Sequence, residues 1–218
     1  MKAISLFIMA GMVTAQGARG QSAAPARLAV KFSPLALLDP TCSTLMLGAE
    51  YRPRPRLGIE LAYGLQYGDL QLGSWHKGQQ ELRYHKFRGE LRYYLRSGTR
   101  LEQLLAAEAF FVPQRYTISS YHVGETNYNF DPAQVQRDVA GLALNYGLLW
   151  HVGNRWQLEA NAGLGLRYVS VSFDVQNQRA SSRGGTYEGL FERSDAPGTS
   201  LGPHVTARIK VGYELGRQ

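Results

Sequence analysis

The chain has 218 residues, of which 44% are hydrophobic and 19% charged, with a formal net charge of +7 and a single cysteine. That length fits one domain, and no composition shift marks a second. Cys42 alone excludes an internal disulfide framework, and no apolar run reaches the roughly 20 residues of a membrane-spanning helix.

Met1–Ala15 has one cation, Lys2, then an apolar run and Val13-x-Ala15. This is the pattern of a secretory signal peptide, with cleavage expected after Ala15. Residues 16–25 read as a flexible leader, which leaves 26–218 as the folded domain. For an exported basic chain, anionic lipid or lipopolysaccharide phosphate is the expected counter-charge, and nucleic acid is not.

From there the chain alternates with a period of two, the signature of strands whose side chains point to opposite faces. Leu28, Val30 and Phe32 open a first strand that is expected to end near Leu38, before a turn at Asp39–Ser43. Leu45, Leu47, Ala49 and Tyr51 line one face of a second strand. Arg52-Pro53-Arg54-Pro55-Arg56 is expected to break it, since proline cannot donate to a ladder. Leu57 to Tyr67 gives the cleanest repeat, and Asp69–Gln80 reads as a polar loop. The fourth strand sets Phe87, Leu91, Tyr93 and Leu95 opposite Arg88, Glu90 and Arg92, ending at a tight turn over Ser97-Gly98-Thr99.

Leu101–His122 reads as a long fifth strand with weaker alternation and Glu108 in its apolar middle. An amphipathic helix over Leu101–Phe111 is the competing reading. Gly124–Gln136 reads as a loop. Ala140 to Trp150 and Trp156 to Tyr168 form the sixth and seventh strands around a hairpin turn at Gly153-Asn154-Arg155. Gln176–Leu201 reads as the longest loop, and His204–Leu215 closes the set, expected to pair with Leu28–Phe32.

Eight strands, an even number, predict an all-β, antiparallel up-and-down transmembrane barrel. A lipid-facing barrel must place its polar set in a narrow lumen, so small residues alternate there with paired charges. The expected luminal network is Glu50, Glu60, Arg88, Glu90, Arg92, Glu159, Arg167, Arg208, Lys210 and Glu214. Near balance of sign predicts a salt-bridged plug. The expected aromatic girdle is Tyr51, Tyr67, Tyr93, Trp150, Trp156, Tyr168 and Tyr213. Short links at 52–56, 97–100 and 153–155 alternate with long ones, which places both termini in the periplasm.

The signal peptide, the eight dyad strands and the Arg/Glu polar face resemble the small outer-membrane barrels of Gram-negative bacteria, of the OmpA/OmpX type. Ala29-Val30-Lys31-Phe32-Ser33-Pro34-Leu35, leading to Leu47-Gly48-Ala49-Glu50-Tyr51-Arg52, resembles a subgroup of these without assigned function. Lys210-x-Gly212-x-x-Leu215 is similar to the family's assembly signal, although Gly216-Arg217-Gln218 follows where the family ends on an aromatic. The resemblance implies outer-membrane residence as a monomer, contact with outer-membrane lipid and lipopolysaccharide, and insertion by the barrel-assembly machinery.

For chemistry, the one local cluster is Ser119, Ser120 and His122, with Glu125 beside them. A hydroxyl activated by histidine is chemically sensible for a lipid A acyl hydrolase or transferase, but such residues are also ordinary at a strand–loop junction. His76, His85 and His204 lack metal-ligand spacing, and neither a metal nor a cofactor is expected. In the loops, Lys77, Arg179, Arg183 and Arg193 are candidates for lipopolysaccharide phosphate; Tyr128, Phe130, Tyr187 and Phe191 are candidates for docking a partner. The expectation is therefore a structural, adhesive or surface-interaction barrel without enzymatic activity. A lipid-modifying enzyme, a narrow solute pore and a soluble periplasmic barrel are the alternatives.

Overall fold

The computed structural model describes residues 26–38, 43–66, 80–96, 99–123, 126–174, 176–177, 179–181 and 197–215. Residues 121–123, 126–128 and 179–181 are described by backbone alone. The signal peptide, the leader, Cys42, Tyr67, His76, Lys77, Glu125, Arg183, Tyr187, Phe191 and Arg193 lie outside these residues.

Among the described residues nine strands form: β1 (Arg27–Ser33), β2 (Thr44–Arg54), β3 (Leu57–Gln66), β4 (Gln80–Arg96), β5 (Leu101–Val123), β6 (Thr126–Val152), β7 (Trp156–Ser172), β8 (Arg179–Ser181) and β9 (Gly198–Leu215). Eight of them close a ring in the order β5-β4-β3-β2-β1-β9-β7-β6, with β6 returning to β5. All neighbours are antiparallel. Closure runs through Leu28↔Leu215 to Phe32↔Val211, the expected pairing of first and last strands. Closure removes every free edge in the ring, which a sheet surrounded by hydrocarbon requires. β8 is a short addition laid on Asn127–Asn129 of β6, outside the ring.

Several boundaries differ from the sequence reading. The first strand ends at Ser33, and Pro34–Leu38 turns into a 3-10 segment. The proline run does not break the second strand at Arg52. β2 continues to Arg54, and its register against β3 shifts between Tyr51 and Arg54, so a bulge absorbs Pro53. Leu101–Phe111 is strand throughout, not helix. Residues 126–136 are not loop: β5 and β6 stay paired up to Val123↔Thr126. The closing strand starts six residues earlier than His204, at Gly198, and pairs with β7 up to Val171. These segments looked like loops because they are rich in Asn, Pro, Ser and Gly, but backbone pairing needs no particular side chain.

The extra length exposes a reversal in the strands' two faces. In the lower part of the ring, towards the short turns, outward side chains are apolar: Leu142, Leu144, Leu164, Leu166, Leu91 and Leu61 are all 58% or more exposed. Above Phe111, Ala140 and Tyr168 the outward residues become Arg115, Thr117, Gln134, Gln136, Asp138, Ser170 and Ser172. The inward residues change the opposite way. Val112, Tyr116, Ile118, Val135, Val139, Val169 and Val171 form a buried apolar cluster with Tyr84 and Phe130, and Leu82 and Phe173 pack on it. Asp138 and Val139, adjacent on β6, mark the crossing. Phe130, a candidate partner-docking residue in the sequence reading, is instead 8% exposed within this cluster and stacks 5.8 Å from Phe173. The weak alternation of the fifth strand has the same source, because its inner face is charged at Glu102 and Glu108 and, from Phe110 upwards, apolar except at Gln114.

Candidate functional site

The lower lumen is filled by polar side chains from all eight ring strands, and seven of the strands supply Arg, Lys or Glu. In a strand every second residue faces inward, so each strand delivers charges at about 7 Å intervals. Lys31 comes from β1, Glu50 and Arg52 from β2, Glu60 from β3, and Arg88, Glu90 and Arg92 from β4. Glu102 and Glu108 come from β5, Glu159 from β7, and Arg208, Lys210 and Glu214 from β9, while β6 adds Asn145 and His151.

Arg92 is the central node. Its guanidinium lies 2.5 Å from Glu60, 2.5 Å from Glu90, 2.8 Å from Glu159 and 3.3 Å from Glu50. Lys31 Nζ lies 2.5 Å from both Glu50 and Glu159. Lys210 Nζ lies 2.7 Å from Glu60, 3.0 Å from Glu90 and 3.2 Å from Glu159. None of these side chains is more than 2% exposed. Carboxylates crowded in this way would repel and protonate without cations among them; here three cations interleave with four acids. Glu50, Glu60 and Glu159 also bring oxygens close enough to one another to suit a metal ion. Lys31, Arg92 and Lys210 already contact those carboxylates, so the donor set is committed to internal cations.

Two smaller clusters continue the pairing. Below the node, Arg52 donates to Glu102 at 2.7 Å, and its guanidinium stacks 3.6 Å over the ring of the fully buried Tyr94, whose hydroxyl donates to Glu50. His151 lies 3.5 Å from Glu102 and 3.7 Å from Glu214. Above the node, Arg208 pairs with Glu108, Asn145 donates to Glu108 at 2.8 Å, and Thr206 donates to Asn145. Among the described residues the lumen thus pairs Lys31, Arg52, Arg88, Arg92, Arg208 and Lys210 with six glutamates, and Arg27 reaches a seventh, Glu214, at 4.0 Å. A gap of about 10 Å³ is left between Arg27, Ala29, Glu50, Arg52, Gln157 and Glu214, room for about one water. A wider mouth of about 400 Å³ opens beneath it among Arg27, Thr99, Arg100, Glu102, His151, Gly153 and Asn154.

The structure brings nine of the ten expected network residues together in these clusters: Glu50, Glu60, Arg88, Glu90, Arg92, Glu159, Arg208, Lys210 and Glu214. Arg167 is the exception. It faces Gly141 and Gly202 across the ladder, above the ion-paired zone, and no carboxylate among the described residues pairs with it. Lys31, Arg52, Glu102 and Glu108 were missed. Lys31 and Arg52 sit at inward parity in their strands, so alternation could have found them; the proline run concealed Arg52. Glu108 read as an apolar-face anomaly because its strand's inner and outer faces look alike in composition.

The remaining candidates disperse. Ser119 is exposed and Ser120 half-buried, on the continuous β5 arm and not at a strand–loop junction; the His122 side chain lies outside the described residues. His85 meets the Tyr63 hydroxyl at 2.8 Å on the outer face, and the His204 ring packs 4.5 Å from Phe110 inside. Of the girdle, Tyr51, Tyr93, Trp150, Trp156 and Tyr168 are 42–55% exposed on the outer face. Tyr213 is half-buried against Trp156, edge to face at 5.2 Å.

Fold and lumen together define a closed, eight-stranded antiparallel barrel whose lower part has an apolar exterior and a charge-paired interior. The chain belongs to the family described as protein of unknown function DUF3575, whose model matches residues 4–188. Among solved structures it has a distant likeness to the crystal structure of Acinetobacter baumannii CarO, at 11% identity and a TM-score of 0.39, over 87% of this chain and 95% of that one. No curated protein matches the chain.

Proposed function

We propose that this chain is an outer-membrane barrel of a Gram-negative bacterium, with a structural, adhesive or surface-interaction role and a plugged lumen. The reversal of the strands' faces at Phe111, Asp138 and Tyr168 carries the reading. A strand with one solvent outside keeps one polarity on its outer face along its whole length. Here that face is apolar below the crossing and polar above it, as expected if hydrocarbon gives way to water there. From Trp156 to Tyr168 is 12 residues. At a tilt near 40–45° that covers about 28–30 Å of height, matching the apolar band plus its girdles. The short turns and both ends of the ring then face the periplasm, and the β5–β6 arm stands outside the cell.

The packing of the ion-paired zone supports a plug over a pore, since eight strands leave a lumen that side chains can fill. The test is refolding of the full chain into phospholipid vesicles, followed by electrophoresis with and without boiling. Heat-modifiable migration, membrane retention after alkaline washing and no steady conductance across a planar bilayer are expected. A chain that stays in the aqueous fraction without detergent would sink the membrane reading; stable unit conductance would sink the plug. For the enzyme alternative, His122→Ala in the producing cell is expected to leave the lipid A mass profile unchanged.

A further inference from the structure

Every short turn of the ring, and the start of β1, carries arginine. Arg54 and Arg56 flank the β2–β3 turn, Arg96 and Arg100 the β4–β5 turn, Arg155 closes the β6–β7 turn, and Arg27 opens β1. Arg27 keeps 37% of its side chain exposed, and the other five are exposed. The acids nearest that end, Glu102 and Glu214, are buried and paired inside the lumen. Among the described residues the lower rim therefore presents six guanidiniums, no lysine and no exposed carboxylate. The upper margin of the apolar band differs, mixing Arg83 and Arg115 with Glu81 and Asp138.

The rim also has a definite height. The Arg100 guanidinium lies 5.8 Å from the Trp150 ring centroid, and Arg155 donates to the Tyr213 hydroxyl at 3.0 Å. Girdle aromatics sit at headgroup level, so arginines anchored to them lie where lipid phosphates lie. Guanidinium presents a planar fork of donors that engages two phosphate oxygens at once, which an ammonium cannot do. On the membrane reading above, we propose that this rim is a collar for the phosphates of anionic phospholipid headgroups in the leaflet that meets the short turns.

The test uses the two rim tryptophans as reporters, in a full-length Trp75→Phe background. The chain is inserted into phosphatidylcholine vesicles containing a minority of phosphatidylglycerol, with brominated acyl chains on one lipid or the other. Quenching of Trp150 and Trp156 should report phosphatidylglycerol enriched about fivefold over its bulk share. Replacing Arg54, Arg56, Arg96, Arg100 and Arg155 with Gln together should return it to bulk, while Arg83→Gln with Arg115→Gln should leave it enriched. The five Arg→Lys changes should keep only part of the enrichment, and full retention would overturn the guanidinium clamp. Bulk quenching in the unmodified rim, or enrichment undiminished in the Gln set, overturns the collar. So does sedimentation with purified peptidoglycan that the Gln set loses while lipid quenching stays at bulk, which assigns the rim to the cell wall. A chain that inserts into no vesicle of either composition defeats the membrane reading itself; one that inserts without lipid preference defeats only the collar.

Discussion

The lower and upper parts of the same strands solve the same problem with opposite chemistry. Below Phe110, inward side chains are mostly Arg, Lys, Glu, Asn and Gln around one small apolar cluster of Tyr94, Leu104, Ala106 and Leu149, and outward ones are mostly Leu, Tyr and Trp. Above it, Val112, Tyr116, Ile118, Val135 and Val171 face inward and Arg115, Thr117 and Gln136 face outward. The backbone ladder runs unbroken through the change, from Trp156↔Val152 to Ser172↔Gln136 on β6 and β7 alone. The ladder thus sets the architecture and, on the membrane reading, the surrounding solvent sets which face is polar. In the upper part, apolar burial drives packing as in any water-soluble core. On the membrane reading, no water outside the lower part rewards inward apolar packing, and the lumen can be held by ion pairs whose attraction has to offset their own desolvation.

Substitutions should separate the two regions. The largest effect is expected at Arg92. Arg92→Met leaves Glu50, Glu60, Glu90 and Glu159 short of their shared cation, and removing one partner of a buried network costs about 3–5 kcal/mol. Denaturant unfolding from vesicles, followed by tryptophan fluorescence, should show a loss of that size; an unchanged midpoint would mean that the network contributes nothing.

In the upper region, Ile118→Ala removes a buried side chain from the apolar cluster, at about 3 kcal/mol. Because the arm packs outside the charged zone, it should become protease-sensitive between 113 and 138 while the barrel keeps its heat-modifiable migration. Simultaneous loss of both would make the two regions one cooperative unit.

The outer face tests where the solvent changes. Leu164 is 70% exposed at mid-height, and Leu164→Arg should cost about 2–3 kcal/mol in a bilayer. Thr117→Arg, also outward but above the crossing, should cost close to nothing. Equal costs at the two positions would remove the boundary.

The smallest effect is expected from removing a whole ion pair. Glu108→Leu with Arg208→Met should change stability by about 1 kcal/mol or less, whereas Glu108→Leu alone leaves Arg208 without its closest carboxylate and costs more. The double-mutant cycle gives the coupling directly.

Much of the lumen was legible because alternation names the inward residues without any knowledge of pairing. Glu50, Glu60, Arg88, Glu90, Arg92, Glu159, Arg208, Lys210 and Glu214 follow from parity alone. What parity cannot supply is height. Arg167 has inward parity on β7, yet the ladder lifts it above the acids, opposite Gly141 and Gly202. Nor does parity reveal the β6 side of the arm, where Asn129, Asp131, Pro132, Gln134 and Gln136 imitate a loop. Arg52 was hidden because proline is a strand breaker only where its missing N–H is needed, and the bulge at Tyr51–Arg54 removes that need.

The sequence by itself determined that the chain alternates, that it forms eight ring strands, which residues share a face, and that the last strand meets the first. All but the last are local properties, written in neighbours one and two residues apart; the meeting of the two end strands follows from closing an even ring. Only the tertiary structure decided which charges meet. Lys210 reaches Glu60 across a separation of 150 residues and Lys31 reaches Glu159 across 128. Those partners are chosen by the stagger and curvature of the closed ring, which bring distant strands to one height across a narrow lumen. The same closure gathers arginines from three separate turns and the start of β1 into a single rim.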